Sequence, residues 1–300
     1  MTASTKPRDV WIGIALIIGV QACFACGDAA AKILSATQPT GVTVGLRYVL
    51  SFLMVSAFAQ PWSDRAMLRS AKPRLQAARG VAMLTATACS FGALHWLSLA
   101  QNTSVIFTAP LFIAVLSGPL LGETLGWRRS AAVLVGFAGV LIITRPGAQS
   151  VQPALLLSLG TALTNALTAI ISRRLADHDR PKTTMFYSTL VGACIAAPFL
   201  LLSWRGMSGQ EWAIAALMAT LGTLGHWLWV LAHRYAPAST LAPFMYMQFL
   251  FAIVITYFIF EGAPDAWTLA GSAVIAAAGL YLLHRERVKR VRSANEDLEL

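Results

Sequence analysis

Residues 104–144, SVIFTAPLFIAVLSGPLLGETLGWRRSAAVLVGFAGVLIIT, form two apolar runs joined by a tight turn, and the arrangement recurs near the other end of the chain. There Leu241–Leu283 supplies an apolar run, the turn FEGAPDAW, and a second apolar run. Glu123 has its counterpart in Glu261, Trp127 in Trp267 after two inserted residues, and Gly139 in Gly279. Each second member lies 138 to 140 positions after the first in a chain of 300 residues. A half-length unit is written twice, so any fold for this chain must accommodate two related copies.

The apolar runs set the solvent. Many are about 20 residues long, enough at ~1.5 Å per residue to cross ~30 Å of hydrocarbon. Hydrophobic residues make up 57% of the chain and charged residues only 12%, against roughly 25% charged in a soluble domain. The sequence predicts an all-α integral membrane protein with ten spans: 11–34, 41–60, 79–99, 103–121, 130–145, 153–172, 183–203, 212–231, 239–260 and 266–284. Residues 1–10 form an N-terminal segment, 11–145 the first five-helix repeat, 153–284 the second, and 285–300 a tail. The first span follows Lys6 and Arg8 but is too long for a signal-peptide core and lacks a cleavage site, so it is read as a retained helix.

Charge orients the spans. With the N-terminus cytoplasmic, 19 of the 23 basic residues fall in inner segments, Arg65, Arg69, Lys72, Arg74 and Arg79 among them. Outer loops hold only Arg145 and Arg205, while Lys32 and Arg47 lie within spans. This asymmetry places both termini in the cytoplasm and accounts for the net charge of +10 without nucleic acid as a partner. Five spans per copy is an odd number, so the second copy enters the membrane inverted. Inverted repeats with a midplane site between them are a common plan of secondary transporters.

Polar side chains within spans are costly in lipid and therefore mark protein-facing or water-facing surfaces. Span 6 carries Ser158, Thr161, Asn165, Thr168 and Ser172 on one helical face, a pattern expected of a cavity wall, although each hydroxyl alone could bond back to its own helix. Span 1 aligns Gln21, Asp28 and Lys32, and span 9 contributes Tyr246 and Gln248. Gln21, Asn165 and Gln248 lie about 10 residues from a span end, ~15 Å deep. Asp28, Lys32, Arg47 and His95 cluster toward the outer side. Asp28 and Lys32, four apart, could neutralise each other, and Arg47 could be a further partner. The alternative is recognition of a zwitterionic solute. The candidate substrate ligands are therefore Gln21, Asp28, Arg47, Asn165, Tyr246 and Gln248. Asp28 and His226 are the candidates for proton coupling, with a packing role for His226 as the plainer reading.

Spans 5 and 10 are nearly all Ala, Val, Leu, Ile and Gly, and Gly136, Gly139, Gly271 and Gly279 suit them to close peripheral packing. Glu123 and Glu261, at span ends, are expected to cap or tie their turns rather than bind substrate. The four cysteines all lie in apolar segments, and Cys23-x-x-Cys26 lacks a second His/Cys pair, so neither a metal nor a redox cofactor is expected. No Gly-x-Gly-Asp protease motif or paired intramembrane aspartate is present, and catalysis is not expected.

The motifs Phe107-Thr-Ala-Pro-Leu-Phe112, Gly122-Glu123, Gly126-Trp127-Arg128-Arg129 and Gly136-Phe-Ala-Gly139-Val, with Ala236-Pro-Ala-Ser239, Leu241-Ala-Pro243 and the Phe260-Glu261 to Gly279-Leu-Tyr281 segment, resemble the drug/metabolite transporter superfamily, specifically its bacterial EamA-type ten-helix members. The resemblance covers about residues 11–285. It implies a cavity lined by spans 1–4 and 6–9, ATP-independent solute movement across the bacterial inner membrane, and a small amino-acid-like or metallophore-like metabolite. Family habit tilts the expectation toward export, with uptake of a cofactor-like compound such as S-adenosylmethionine or riboflavin as the alternative. A homodimer is left open, and a membrane scaffold without transport is the remote rival.

Overall fold

The computed structural model describes residues 7–60, 65–121, 127–144, 153–176, 178–236 and 238–296. These residues are almost entirely helical: α1 (Pro7–Ser35), α2 (Thr40–Ala59), a 3-10 turn at Arg65–Leu68, α3 (Pro73–Ala93), α4 (Leu99–Ile106), α5 (Ala109–Leu121) and α6 (Trp127–Thr144). There follow α7 (Ala154–Leu175), α8 (Pro181–Leu202), α9 (Gly209–Tyr235), α10 (Ala238–Met245), α11 (Met247–Ile259) and α12 (Ala266–Glu296). Six stretches are long and apolar enough to cross a membrane: Val10–Ser35, Thr40–Phe58, Leu99–Leu116, Ala154–Leu175, Pro181–Leu202 and Gly209–Tyr235. The chain is a multi-pass, all-helical membrane protein. Large apolar side chains such as Phe58, Leu134, Leu202 and Phe258 are exposed on its surface, where lipid is the matching solvent.

Every stretch expected to span is helical, with four departures. The third helix begins at Pro73 rather than near residue 79, because proline's fixed φ suits the first helical turn. It ends at Ala93, and Ser98 starts α4 with a reciprocal capping box to Gln101. The fourth stretch breaks between α4 and α5 at Phe107–Thr108. Pro110 cannot donate to residue 106, and its ring crowds that carbonyl. The ninth stretch likewise divides, at Tyr246. Finally, α12 continues to Glu296, so much of the expected tail is helix. The first-copy turn with Glu123, the Arg145-Pro146-Gly147 connection and Pro237 lie outside the described residues.

The two halves interleave. α1 packs on α9 and α3 on α7, α1 on α11 and α5 on α7, and α2 on α9 and α3 on α8. α2 pairs with α8 and α6 with α12. Glycines let several of these helices touch. A Cβ at Gly139 would come within 2.8 Å of the Gly271 carbonyl oxygen, and one at Gly271 within 2.6 Å of the Gly139 carbonyl oxygen. α6 and α12 therefore meet backbone to backbone, the close approach that small residues permit in membranes. The largest buried cluster joins Ala29–Ala31 and Leu34 of α1, Val42, Val44, Leu46 and Tyr48 of α2, Phe91, Ala193, Ala196 and Met218.

Candidate functional site

A cavity of about 300 Å³ lies between α2, α3, α7, α8 and α9. Its wall includes Arg47, Tyr48, Arg79, Ser172, Ser188, Thr223, His226 and Trp229, with Asp179 at the end where the α7–α8 connection lies. The helices that build it come from both halves of the chain. The Arg47 guanidinium sits over the Phe91 ring, 5.5 Å from its centroid. It also lies against α9, where a Cβ on Gly222 would come 2.9 Å from Nη1. Tyr48 is fixed by a 3.1 Å hydrogen bond between its hydroxyl and Thr87 Oγ1.

Of the residues expected to bind substrate, Arg47 lines this cavity, as does His226, a candidate for proton coupling. His226 packs edge-on against Phe24 with ring centroids 5.1 Å apart. Asp28 and Gln248 form a separate pair: Gln248 Nε2 donates to Asp28 Oδ2 at 3.3 Å, joining α11 to α1. Gln21 is buried on α1, and its Nε2 has no hydrogen-bond partner among the described residues. Asn165, half-buried on α7, makes no hydrogen bond among the described residues. Tyr246 stands apart from both groups. Its ring packs at a tilt on Phe107, centroids 4.9 Å apart, and its hydroxyl fills the space a Cβ on Gly279 would need.

Two expected arrangements differ. Lys32 does not pair with Asp28; its Nζ donates to the carbonyls of Leu94 and Leu97, each at 2.8 Å, and lies 5.7 Å from the Phe260 ring centroid. Leu94 caps the end of α3 and Leu97 lies in the connection to α4, so no helix continues to satisfy their carbonyls, and a cation is their natural partner. The polar face of α7 is mostly spent on helix contacts. Ser158 Oγ donates to Asn102 Oδ1 (2.7 Å), and Asn102 Nδ2 donates to Ser90 Oγ (3.0 Å). Thr161 bonds to the Ala86 and Leu157 carbonyls, and Thr168 to Thr164. Of the five residues on that face, only Ser172 lines the cavity.

Arg79 is the site residue that the loop-charge reading hides. Because α3 starts at Pro73, Arg79 stands well inside the helix, where its Nε donates to Ser172 Oγ (2.6 Å) and its Nη1 to Ser188 Oγ. Pro73 as a first-turn signal would have moved it out of the loop.

At each of the two ends of the bundle a carboxylate ties the halves together. At one end Asp179 accepts from Ser70 Oγ (2.5 Å), the Ala71 backbone N–H (2.8 Å) and Gln76 Nε2 (2.8 Å). Desolvation opposes its ionisation, but these hydrogen bonds and nearby His178 outweigh it and hold the carboxyl below its ordinary value. At the other end Glu211, which also caps α9 through Ser208, accepts from Thr37 Oγ1 (2.6 Å) and Gln38 Nε2 (2.9 Å). Among the described residues no group of three or more His, Cys, Asp and Glu side chains could hold a metal ion.

A hollow of about 300 Å³ with arginine, hydroxyl and imidazole groups on its wall, enclosed by helices from both halves of one membrane-spanning chain, defines a class: membrane proteins that handle small solutes. The EamA-like transporter family matches residues 11–145 and 152–284, and the chain belongs to it. An S-adenosylmethionine uptake transporter of Rickettsia bellii (strain RML369-C) is 26% identical over 293 residues, 96% of this chain and 98% of that one. A riboflavin transporter of Vibrio cholerae is 29% identical over 65% of this chain and 66% of its own length. A pseudopaline exporter of Pseudomonas aeruginosa is 24% identical over 90% of this chain and 95% of its own. One crystal structure shares the fold, with a TM-score of 0.61 at 20% identity, covering 93% of this chain and 99% of that one. The chain is thus similar to small-metabolite transporters along nearly its whole length, and nothing in these likenesses points to an enzyme.

Proposed function

We propose that this chain is a secondary carrier of the bacterial inner membrane that moves a small zwitterionic metabolite through the cavity between its halves. The two halves act as inverted repeats with both termini cytoplasmic, and alternating access exposes the site to each side in turn. The observation that carries this reading is the placement of Arg47 on a cavity built from both halves, with no carboxylate within ion-pair distance of it among the described residues. The matched packing supports the repeat: α1 on α9 mirrors α7 on α3, and α2 on α9 mirrors α8 on α3. Asp28, held on Gln248, is the acid for the solute's cationic group or for a proton. Gln21 and Asn165, each with unspent hydrogen-bonding capacity, are further ligands. Tyr246, packed between Phe107 and Gly279 with its hydroxyl unpartnered among the described residues, stays in the ligand set, and His226 is the candidate for proton coupling.

The direction we favour is uptake, on the likeness to S-adenosylmethionine uptake transporters over 96% of the chain. The test compares medium and cell contents between cells overexpressing the protein and cells lacking it, with Asp28→Asn alongside. The expected result is a zwitterionic compound depleted from the medium and accumulated inside, an effect absent with Asp28→Asn. A compound enriched in the medium instead would reverse the direction, as in the likeness to the pseudopaline exporter. No change in any compound would remove support for transport and bring the scaffold reading forward.

A further inference from the structure

Arg79 reaches the cavity wall held only by neutral acceptors. Its Nε donates to Ser172 Oγ on α7 at 2.6 Å, and its Nη1 to Ser188 Oγ on α8. Both hydroxyls give their own hydrogen to the carbonyl one turn back, Ser172 to Thr168 (2.6 Å) and Ser188 to Thr184 (2.7 Å). Each therefore meets the guanidinium with a lone pair. Such oxygens fix the plane of the fork but cancel none of its charge. Nη2 has no hydrogen-bond partner among the described residues, and no carboxylate there lies within ion-pair distance of Arg79. Asp179, the acid on the same wall, has its oxygens occupied by Ser70, Ala71 and Gln76. Removing a guanidinium from water without a counter-charge is costly. Nη1 also lies 4.0 Å from Met83 Sδ, so the unused hydrogens are those of Nη2, and a guanidinium oriented in this way can donate them to an oxyanion of a ligand.

We infer that Arg79 is a specificity-determining residue whose free Nη2 edge takes an oxyanion of the solute, carboxylate or phosphate, in the cavity it shares with Arg47. This deepens the transport reading above and rests on it for its functional meaning. The competing role is purely structural, a clamp joining α3 to α7 and α8.

The experiment uses the full chain in proteoliposomes, with wild type, Arg79→Gln and Arg79→Lys. Half-saturation concentrations are measured for S-adenosylmethionine and for its decarboxylated form, which differ by the carboxylate alone. Arg79→Gln should raise the value for the carboxylate-bearing compound about tenfold or more, the range expected for a lost charge-assisted hydrogen bond, and leave the other unchanged. Parallel rises for both, or a fall in maximal rate alone, would overturn the inference in favour of the clamp. Arg79→Lys keeps a cation but loses the fork, and covers the case in which Arg79→Gln does not fold. It should show intermediate selectivity, and wild-type selectivity would overturn the inference. If neither compound is carried, the transport reading for this substrate fails by itself. Thermal unfolding of the purified protein in acetate, inorganic phosphate or chloride at equal ionic strength then decides. Stabilisation by acetate or phosphate beyond chloride, lost in the Arg79 variants, supports the inference, and the larger of the two names the oxyanion. Equal unfolding temperatures in all three salts would overturn it.

Discussion

Lys32 and Arg79 carry the same charge within helices, yet their surroundings assign them opposite work. Lys32 is consumed by the Leu94 and Leu97 carbonyls at 2.8 Å. Its replacement by Met should lower stability by about 2 kcal/mol, the worth of charged hydrogen bonds to carbonyls left otherwise unmet, while leaving the half-saturation concentration of transport unchanged. Denaturant unfolding of the purified variant, set beside transport kinetics, checks both halves of that statement. The sequence offered Asp28 at i−4 as the partner of Lys32. Carbonyls 62 and 65 residues away are invisible to helical spacing. Glu261 was expected to cap or tie its turn; its side chain makes no hydrogen bond among the described residues, and its backbone shapes the turn instead. It ends α11 with a left-handed backbone, φ 51°, and the Gly262 N–H returns to the Thr256 carbonyl at 3.1 Å. Glycine adopts this conformation without the cost of a Cβ. Glu261→Gly should raise stability by up to about 1 kcal/mol, and an unchanged or lower unfolding temperature would count against this assignment of the turn.

Helices were more legible than side chains. Apolar run length placed each expected span on helix, and the glycines of spans 5 and 10 marked helices suited to close approach, though not that α6 and α12 approach each other. The break between α4 and α5 is written in Pro110, but a hydropathy window averages through it. The extension of α3 back to Pro73 was missed because Lys72, Arg74 and Arg79 look like loop charge. At this scale the Gly139–Gly271 contact gives the sharpest prediction. A Cβ at either position falls within 2.8 Å of the facing backbone oxygen, and backbone yields less readily than a flexible side chain. Gly139→Ala and Gly271→Ala should each destabilise by about 1–3 kcal/mol. The double variant should cost less than their sum, since one separation of the helices relieves both. Strict additivity in a double-mutant cycle would mean that the two glycines do not face each other.

Across the whole molecule, the ties at the two ends correspond. Asp179, in the connection between the first two helices of the second half, binds the connection preceding α3 in the first. Thr37 and Gln38, in the connection between the first two helices of the first half, bind Glu211 at the start of α9 in the second. Under alternating access each tie must open in turn. Asp179→Asn should therefore speed labelling of Thr223→Cys, on the cavity wall of an otherwise cysteine-free chain, from the Asp179 end. Glu211→Gln should speed labelling from the other end. Equal effects from both ends would make the ties mere braces. The Asp179 tie should also survive mild acid. A carboxyl held below its ordinary value of 3.8 contributes its stabilisation above that value. The contribution is lost only as pH falls below it, through the lowered value of the folded protein. Opening of that end near pH 6 would contradict the assignment.

The relation between the ends was implicit in the repeat, but the residues that make the ties were not, because they sit in connections where neither periodicity nor hydropathy speaks. The carrier mechanism itself is tested most directly by counterflow. Liposomes containing the purified protein are loaded with unlabelled S-adenosylmethionine and diluted into a trace of the labelled compound, with no energy source. An alternating-access carrier for this solute gives a transient accumulation of label above the outside concentration, abolished by Asp28→Asn. Entry of label that only rises to equilibrium, or protein-bearing liposomes no different from empty ones, would contradict the account for this solute.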